Sequence, residues 1–502
     1  MKIKCQTVWM VLDRSGWILW LVLLIVLPVT SSRQVAKLIG RTPVSPLALY
    51  PLGLLAILWL IPALLRGRRL PPLTWPLFAF AGAAIASSLL AAFLPIEPIK
   101  GRQPLDREIR SLVTLGVGIG FYLLAVLQTQ DEDRLRGSLR ALYIGAILAF
   151  LWATLQAYYV LDGEPSLPRW LVHWHRQLVI RQPLPDRVTG LAYEPSWFAN
   201  QIVTLYLPLC LGSALRGYSV FRKLGRRLSI EMVLAVWATG LLVLTFSRGG
   251  YVSLAGIIGV LIVAGAWRLA GSLAGITGRH WVHRPAWADG ATRVIILGVA
   301  GLLLLMVARA LAQGVSERDP RMTALSILPS QMMEIRLEHP GEVGYALADR
   351  LGFAERVIYW ETSYRIFERF PIMGVGLGNA GFFFPQEVPY YGYGLVEITT
   401  LLDPASPLFP NPKNLWARLL AETGLVGVSL IVTWLALLWL ASAWLGGSEH
   451  GSLGAVGIAG ALAIGVFIWE GCSLDTFALP QLWIAGGLVT ATLARVGLWR
   501  DS

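Results

Sequence analysis

Apolar runs recur along the whole chain, separated by short polar or charged gaps. A helix needs about 20 apolar residues to cross the hydrocarbon core of a bilayer. Twelve runs approach that length: 16–30, 47–65, 73–95, 111–128, 138–160, 190–214, 229–246, 250–267, 294–313, 415–445, 453–470 and 479–498. The tenth exceeds one span, the first is short, and the sixth contains Glu194. The expected fold class is an all-α polytopic membrane protein with about 12 transmembrane helices. No small-residue cleavage site follows 17–29, so this run reads as the first span and not as a signal peptide. No internal repeat stands out, which disfavours an inverted-repeat transporter.

One gap differs from the others. Residues 314–412 form a loop of about a hundred residues between spans nine and ten, and it is acidic. Loops of that length are usually functional. In its middle, Leu347, Leu351, Ala354 and Ile358 fall on one stripe, with Asp349, Arg350, Glu355, Arg356, Glu361 and Arg365 elsewhere. That periodicity predicts an amphipathic helix over about 343–370, ended by Pro371 and Gly374. The expected organisation is spans one to nine over 1–313, the loop over 314–412, and spans ten to twelve over 413–502.

Composition agrees. Hydrophobic residues make up 55% of the 502 and charged residues only 14%, against about 25% charged in soluble domains. Soluble, disordered and disulfide-scaffold classes are excluded. The net charge of +12 would suggest nucleic acid in a soluble chain. In a membrane protein it reflects Lys and Arg held in cytoplasmic loops, and no nucleic-acid partner is expected. The gaps holding Arg66, Arg68 and Arg69, then Arg216, Arg222, Lys223, Arg226 and Arg227, then Arg268, Arg279, Arg284 and Arg293 share one side if the spans alternate. That side is then cytoplasmic, both termini are cytoplasmic, and the long loop faces outward. Arg33, Lys37 and Arg41 run against the rule and are outvoted.

Cys5, Cys210 and Cys472 lie far apart and show no metal-ligand spacing. His173 with His175, and His280 with His283, lack carboxylate or Cys partners nearby and read as surface residues. Gly376-Leu-Gly378-Asn-Ala-Gly381 matches GxGxxG, but no parallel-strand unit precedes it. The polar groups at the expected outer ends carry more chemistry. Arg187 opens span six and Arg248 follows span seven. A guanidinium fork matches phosphate oxygens and stays charged, although a lone arginine at a membrane boundary commonly snorkels to headgroups. Glu194 stands near the start of a span, where a carboxylate is costly unless paired or catalytic. Two readings of it stand side by side: an ion pair with an arginine, or a general base or sugar-hydroxyl acceptor.

Four segments in order then resemble a known family: Arg187-Val-Thr-Gly-Leu, Ser247-Arg248-Gly-Gly, Pro371-Ile-Met-Gly-Val-Gly-Leu-Gly-Asn379, and Asn414-Leu-Trp-Ala-Arg-Leu-Leu-Ala-Glu422-Thr-Gly-Leu-Val-Gly. Their order, the twelve spans and the single large loop are similar to the O-antigen ligase and O-antigen polymerase superfamily. The resemblance implies a bundle of the GT-C kind in a bacterial inner membrane, with a glycosyl-transfer site on the outer face. It implies a polyprenyl-diphosphate-linked oligosaccharide as donor, a lipid-linked glycan as acceptor, membrane lipids as surroundings, room for a chain-length regulator, and no metal or other cofactor. Arg187 and Arg248 would stabilise the departing diphosphate.

The chain departs from the ligase pattern in one place. Ligases of this family carry His-Asn where this chain has Lys413-Asn414, which favours a polymerase over a ligase. Lys413 is either a base or a third phosphate ligand with Glu194 as base. Arg356 resembles a further family arginine, and its alternative is a salt bridge within the loop helix. Tyr193, Arg365, Asn411, Asn414 and Glu422 complete the candidate substrate-binding set, Glu422 being equally suited to pairing at a helix end. Phe382, Phe383, Phe384, Tyr390 and Tyr391 suit a sugar platform or loop packing. A solute transporter is the rival from another class.

Overall fold

The computed structural model describes residues 2–39, 44–163, 166–221, 225, 228–280 and 353–497, with 298, 299, 301, 302, 306, 348 and 349. The ninth expected span, 294–313, lies mostly outside the described residues. The other eleven expected spans each overlap a helix. Among the described residues seven helices are long and apolar enough to cross a membrane: Pro72–Ala91, Pro104–Gln128, Glu132–Asp162, Pro195–Leu215, Arg248–Ala266, Leu415–Gly446 and Gly451–Glu470. Leu49–Leu65 and Ile230–Val243 are shorter apolar helices, and Lys2–Val26 and Gln481–Arg495 flank the set. Among the described residues the only β-pairing is three isolated bridges. The protein is a multi-pass, all-helical membrane protein.

The chain divides into two compact units, Met1–Gly249 with Tyr359–Ser502, and Gly250–Ile358. The second carries the rest of the helix begun at Arg248 and the first turn of Ala354–Arg369. That last helix is the later part of the amphipathic helix expected over 343–370. Of its predicted stripe, Ala354 and Ile358 are buried, while Leu347 and Leu351 lie outside the described residues.

In the first unit the helices meet through small residues. A Cβ on Gly212 would lie 2.2 Å from the Ala455 carbonyl oxygen, and one on Gly457 would lie 2.1 Å from the Gly446 nitrogen. Such contacts let helix backbones approach where lipid supplies no hydrophobic drive. Polar side chains inside the bundle find partners. Trp20 Nε1 donates to Ser138 Oγ at 2.9 Å, and the Tyr122 hydroxyl lies 2.9 Å from Thr490 Oγ1.

Charged groups collect at the helix ends. At one end Arg134 pairs with Asp13, Arg495 pairs with Glu132, and Ser219 and the Val220 N–H bond the Glu231 carboxylate. Asp131 caps the helix Glu132–Asp162 there by accepting the Arg134 N–H at 2.7 Å. The opposite end of this unit carries Arg187, Glu194 and a short helix, Arg169–Leu178. This helix corrects one expectation. His173 is exposed, but His175 is 1% exposed and not a surface residue. Its Nδ1 accepts from Trp152 Nε1 at 3.1 Å, because the amphipathic helix lays that face on the bundle.

Two predictions follow from this packing. Gly457→Val must push apart helices in backbone contact, an overpacking cost of about 1–3 kcal/mol, and should lower the thermal midpoint of the detergent-solubilised protein. Burial pulls the His175 pKa down to about 4, below the unfolded value of about 6.5. The unfolded state therefore binds the proton first as pH falls. Stability is full above about pH 6.5 and drops between there and pH 4, by up to about 3 kcal/mol. Unfolding scans against pH should show that loss in the wild type and a smaller one in His175→Gln.

Candidate active site

The Arg187 turn is built around one amide. Gln156, fully buried on the helix Glu132–Asp162, accepts at Oε1 from the Thr189 N–H (3.0 Å), the Gly190 N–H (2.9 Å) and Thr189 Oγ1 (3.2 Å). Its Nε2 donates to the Gly190 carbonyl at 3.1 Å. Gly190 has φ +57°, and a Cβ there would strike the Phe198 ring at 2.7 Å, so the turn requires glycine. Arg187 projects half-exposed at its edge, 3.6 Å from Asp186.

Backbone bonds carry this turn to the other motifs. The Val188 N–H donates to the Leu244 carbonyl at 3.0 Å. Four residues on, past Phe246 with φ +47°, the chain reaches Arg248, the first residue of its helix. Gly249 sits against Glu470: a Cβ there would lie 3.4 Å from Oε1 and 3.8 Å from Oε2. Glu470 is buried and accepts from Asn200 Nδ2 at 3.2 Å. Next to it, the Gly471 carbonyl accepts from the Leu415 N–H at 2.7 Å, two residues past Lys413. The segments of Arg187, Arg248, Glu470 and Lys413 thus adjoin, although they are spread over about 280 residues of sequence. Sequence reasoning missed Glu470. Its signal was available, a carboxylate closing a 20-residue apolar helix.

Glu194 lies just outside the membrane helix, at the cap position before Pro195, and not within a span. Its carboxylate pairs with Arg181 and accepts from Ser196 Oγ at 3.3 Å. Arg181, also unanticipated, sits 5.4 Å from the Tyr193 ring centre. The Tyr193 N–H is held by Thr30 Oγ1 at 3.0 Å. The arginine that meets Glu194 is therefore Arg181.

Lys413 has φ +49°, and its N–H bonds Asn411 Oδ1 at 3.0 Å. Its ammonium pairs with Glu397, lies 3.3 Å from the Tyr359 hydroxyl and 4.7 Å from that ring's centre. An ammonium in such a pair has no lone pair to accept a proton, so this arrangement suits a charge-holding role. Asn414 caps the helix Leu415–Gly446, accepting from the N–H groups of Trp416 (2.9 Å) and Ala417 (3.1 Å). Arg365 pairs with Glu361 at 2.9 Å, and Glu361 also accepts from the Tyr391 hydroxyl. Burial and that carboxylate push the Tyr391 phenol up to about 12. Arg356 lies in the second unit, half-buried on the helix Ala354–Arg369.

Glu422 points inward. It is 2% exposed and pairs with Arg418 at 2.9 Å, and Arg418 Nη2 reaches Ser111 Oγ at 3.1 Å. The 371–379 segment clasps this helix. The Val375 N–H donates to the Ala421 carbonyl (3.0 Å), Gly376 to Glu422 (3.0 Å) and Leu425 to Pro371 (2.9 Å). At the clasp Gly424 leaves helical geometry with φ 60°, and a Cβ on Gly374 would meet the Glu422 carbonyl carbon at 2.4 Å. The GxGxxG run is thus a packing loop. Phe382, Phe383 and Phe384 are buried and serve packing, whereas Tyr390 is exposed. Among the described residues no three His, Cys, Asp or Glu side chains gather to hold a metal.

Comparison with known proteins accords with this arrangement. No curated protein matches the chain. A family model described as O-Antigen ligase matches residues 233–432. The matched segment contains Arg248, the clasp of 371–379 on Glu422, and the Asn411–Asn414 segment, while Arg187 and Glu194 lie before it. Over this segment, residues 233–432, the chain is similar to the O-antigen ligase family.

Proposed function

We propose that the protein is a repeat-unit polymerase of a bacterial surface polysaccharide, acting on the outer face of the inner membrane. The observation that carries the reading is the pair of backbone bonds, Val188 to Leu244 and Leu415 to Gly471, together with the packing of Gly249 against Glu470, which bring the Arg187 turn, the Arg248 helix start and the Lys413 segment near one another. Three cations of separate motifs then share one patch, which suits a diphosphate. In this reading Arg187 and Arg248 grip the diphosphate of a polyprenyl-linked glycan, and Lys413 adds charge beside them. A sugar hydroxyl of a second lipid-linked glycan attacks the anomeric carbon from the face opposite the diphosphate. The carbon–oxygen bond to phosphate breaks, its electron pair leaves with the diphosphate, and the configuration inverts. Glu194 takes the hydroxyl proton, with Tyr193 and Arg181 flanking it. Charge develops on the leaving diphosphate, so fixed guanidinium groups act mainly in the transition state. Arg356, Arg365 and Asn411 are assigned to glycan contact. Asn414 and Glu422 support the site from within, through their cap and ion pair. Lysine in place of the ligases' histidine favours a lipid-linked acceptor over lipid A–core.

Two measurements test this. Purified protein given a synthetic polyprenyl-diphosphate oligosaccharide alone should produce a ladder of repeat units. Arg187→Ala and Arg248→Ala should each slow it by about 100-fold or more, and Arg→Lys should restore only part. Transfer seen only after lipid A–core is added makes the protein a ligase. No transfer to any acceptor by folded protein returns the transporter reading. Separately, Gln156→Leu strands the buried N–H groups of Thr189 and Gly190, a cost of about 1–3 kcal/mol each. It should lower both the melting midpoint and the polymerisation rate, while Gln156→Glu, which keeps the acceptor, should lose less of each.

A further inference from the structure

The end of the bundle opposite the candidate active site holds a cavity of about 620 Å³. It lies between the first helix, Lys2–Val26, the close of Leu49–Leu65 and the start of Glu132–Asp162. Its lining includes four arginines, Arg14, Arg66, Arg68 and Arg134, against one carboxylate, Asp13. Two tryptophans set the geometry. The Arg134 guanidinium lies 5.3 Å from the Trp17 ring centre, and that of Arg68 lies 5.2 Å from the Trp59 ring centre. A guanidinium resting on an indole keeps its N–H edge available to planar oxyanions.

The nearby carboxylates are already engaged. Asp13 accepts from Trp59 Nε1 at 3.1 Å and pairs with Arg134, and Arg134 also lies 3.7 Å from Asp131. Arg14 and Arg68 make no salt bridge among the described residues. The cavity therefore carries more guanidinium than carboxylate charge, with Arg14 and Arg68 outside any salt bridge among the described residues, at the boundary of the membrane-spanning region. Its volume is within the range of small-molecule pockets, well above what a single phosphate fills. The flanking helix surface is apolar and open: Met10 is 67%, Val11 60% and Leu65 83% exposed. A free anion would have no use for that rim, whereas the acyl chains of a lipid would lie along it.

We propose that this cavity binds the headgroup of an anionic phospholipid, its phosphate held by Arg14 and Arg68 and its chains lying against Met10, Val11 and Leu65. A positive excess at the membrane boundary arises from orientation alone. Here, however, it lines a concave pocket with two arginines on tryptophan faces, the geometry of a recognition site. The inference is independent of the glycosyl-transfer reading.

The test uses the full chain in nanodiscs of phosphatidylcholine, with cardiolipin, phosphatidylglycerol or inorganic phosphate added. Binding is read by native mass spectrometry and by the shift in thermal midpoint. The expected result is retention of cardiolipin or phosphatidylglycerol on the wild type and a raised midpoint, with no shift from inorganic phosphate. Arg14→Gln, at an exposed residue outside any salt bridge, should weaken lipid binding by about tenfold. It should leave the midpoint in pure phosphatidylcholine unchanged, which separates lost binding from lost folding. Arg14→Gln with Arg68→Gln should abolish the retention. Equal retention of anionic lipid by wild type and double variant, or an equal shift from inorganic phosphate, overturns the proposal.

Discussion

Gln156 is an amide buried in a membrane helix, and the first site motif takes its shape from it. One side-chain oxygen receives three donors of the Thr189–Gly190 turn, and the amide nitrogen returns a bond to the Gly190 carbonyl. Water is absent from a bundle interior, and buried backbone groups left unpaired there cost several kcal/mol each. The turn can leave helical geometry at this depth only because Gln156 replaces the bonds a helix would have made. Arg187 leaves from the edge of that turn, and the Val188 bond to Leu244 draws in the approach to Arg248. The carbonyl of Gly471, the neighbour of Glu470, then receives the N–H of Leu415. The segments of the two arginines and the lysine are thus linked by two backbone bonds and by the packing of Gly249 against Glu470.

The four segments that resemble the family do two kinds of work. The Arg187, Arg248 and Lys413 segments are brought near one another by backbone bonds and by Glu470. The 371–379 segment and the 414–427 helix instead lock into one another, with glycines where backbones touch, Asn414 spent as a cap, and Glu422 sealed against Arg418. An ion pair that deep is costly to split, because either partner alone would be an unpaired buried charge. The clasp therefore holds the Lys413 segment at a fixed place relative to the bundle.

Charge distribution along the bundle has the same logic. Cations collect at both ends, for different reasons. At one end Arg134 and Arg495 neutralise carboxylates at the start of Glu132–Asp162, and a cavity beside them carries excess guanidinium charge. At the other end Arg187 lies 3.6 Å from Asp186, its one salt bridge among the described residues.

Much of the fold was legible because hydrophobic runs are a local property. A run of apolar residues faces lipid or another helix wherever it falls, so eleven of the spans and the later part of the helix expected over 343–370 can be read from the residues in order. Turn glycines and the Lys413-Asn414 departure are local as well. Pairings are not local. Glu194 reads as a carboxylate inside a span, but Pro195 starts the helix one residue later and Arg181, thirteen residues before, takes the charge. His175 reads as a surface residue until an amphipathic helix folds it onto Trp152. Glu470 and Gln156 gave no motif, since a lone carboxylate or amide in an apolar run does not name its partner. By itself the sequence determined a polytopic helical membrane protein with its cations at helix ends and its glycines at turns. The tertiary structure alone decided which of the site segments adjoin, because that depends on buried hydrogen bonds between residues up to 270 positions apart, as in Asn200 and Glu470, and these form only once the helices have packed.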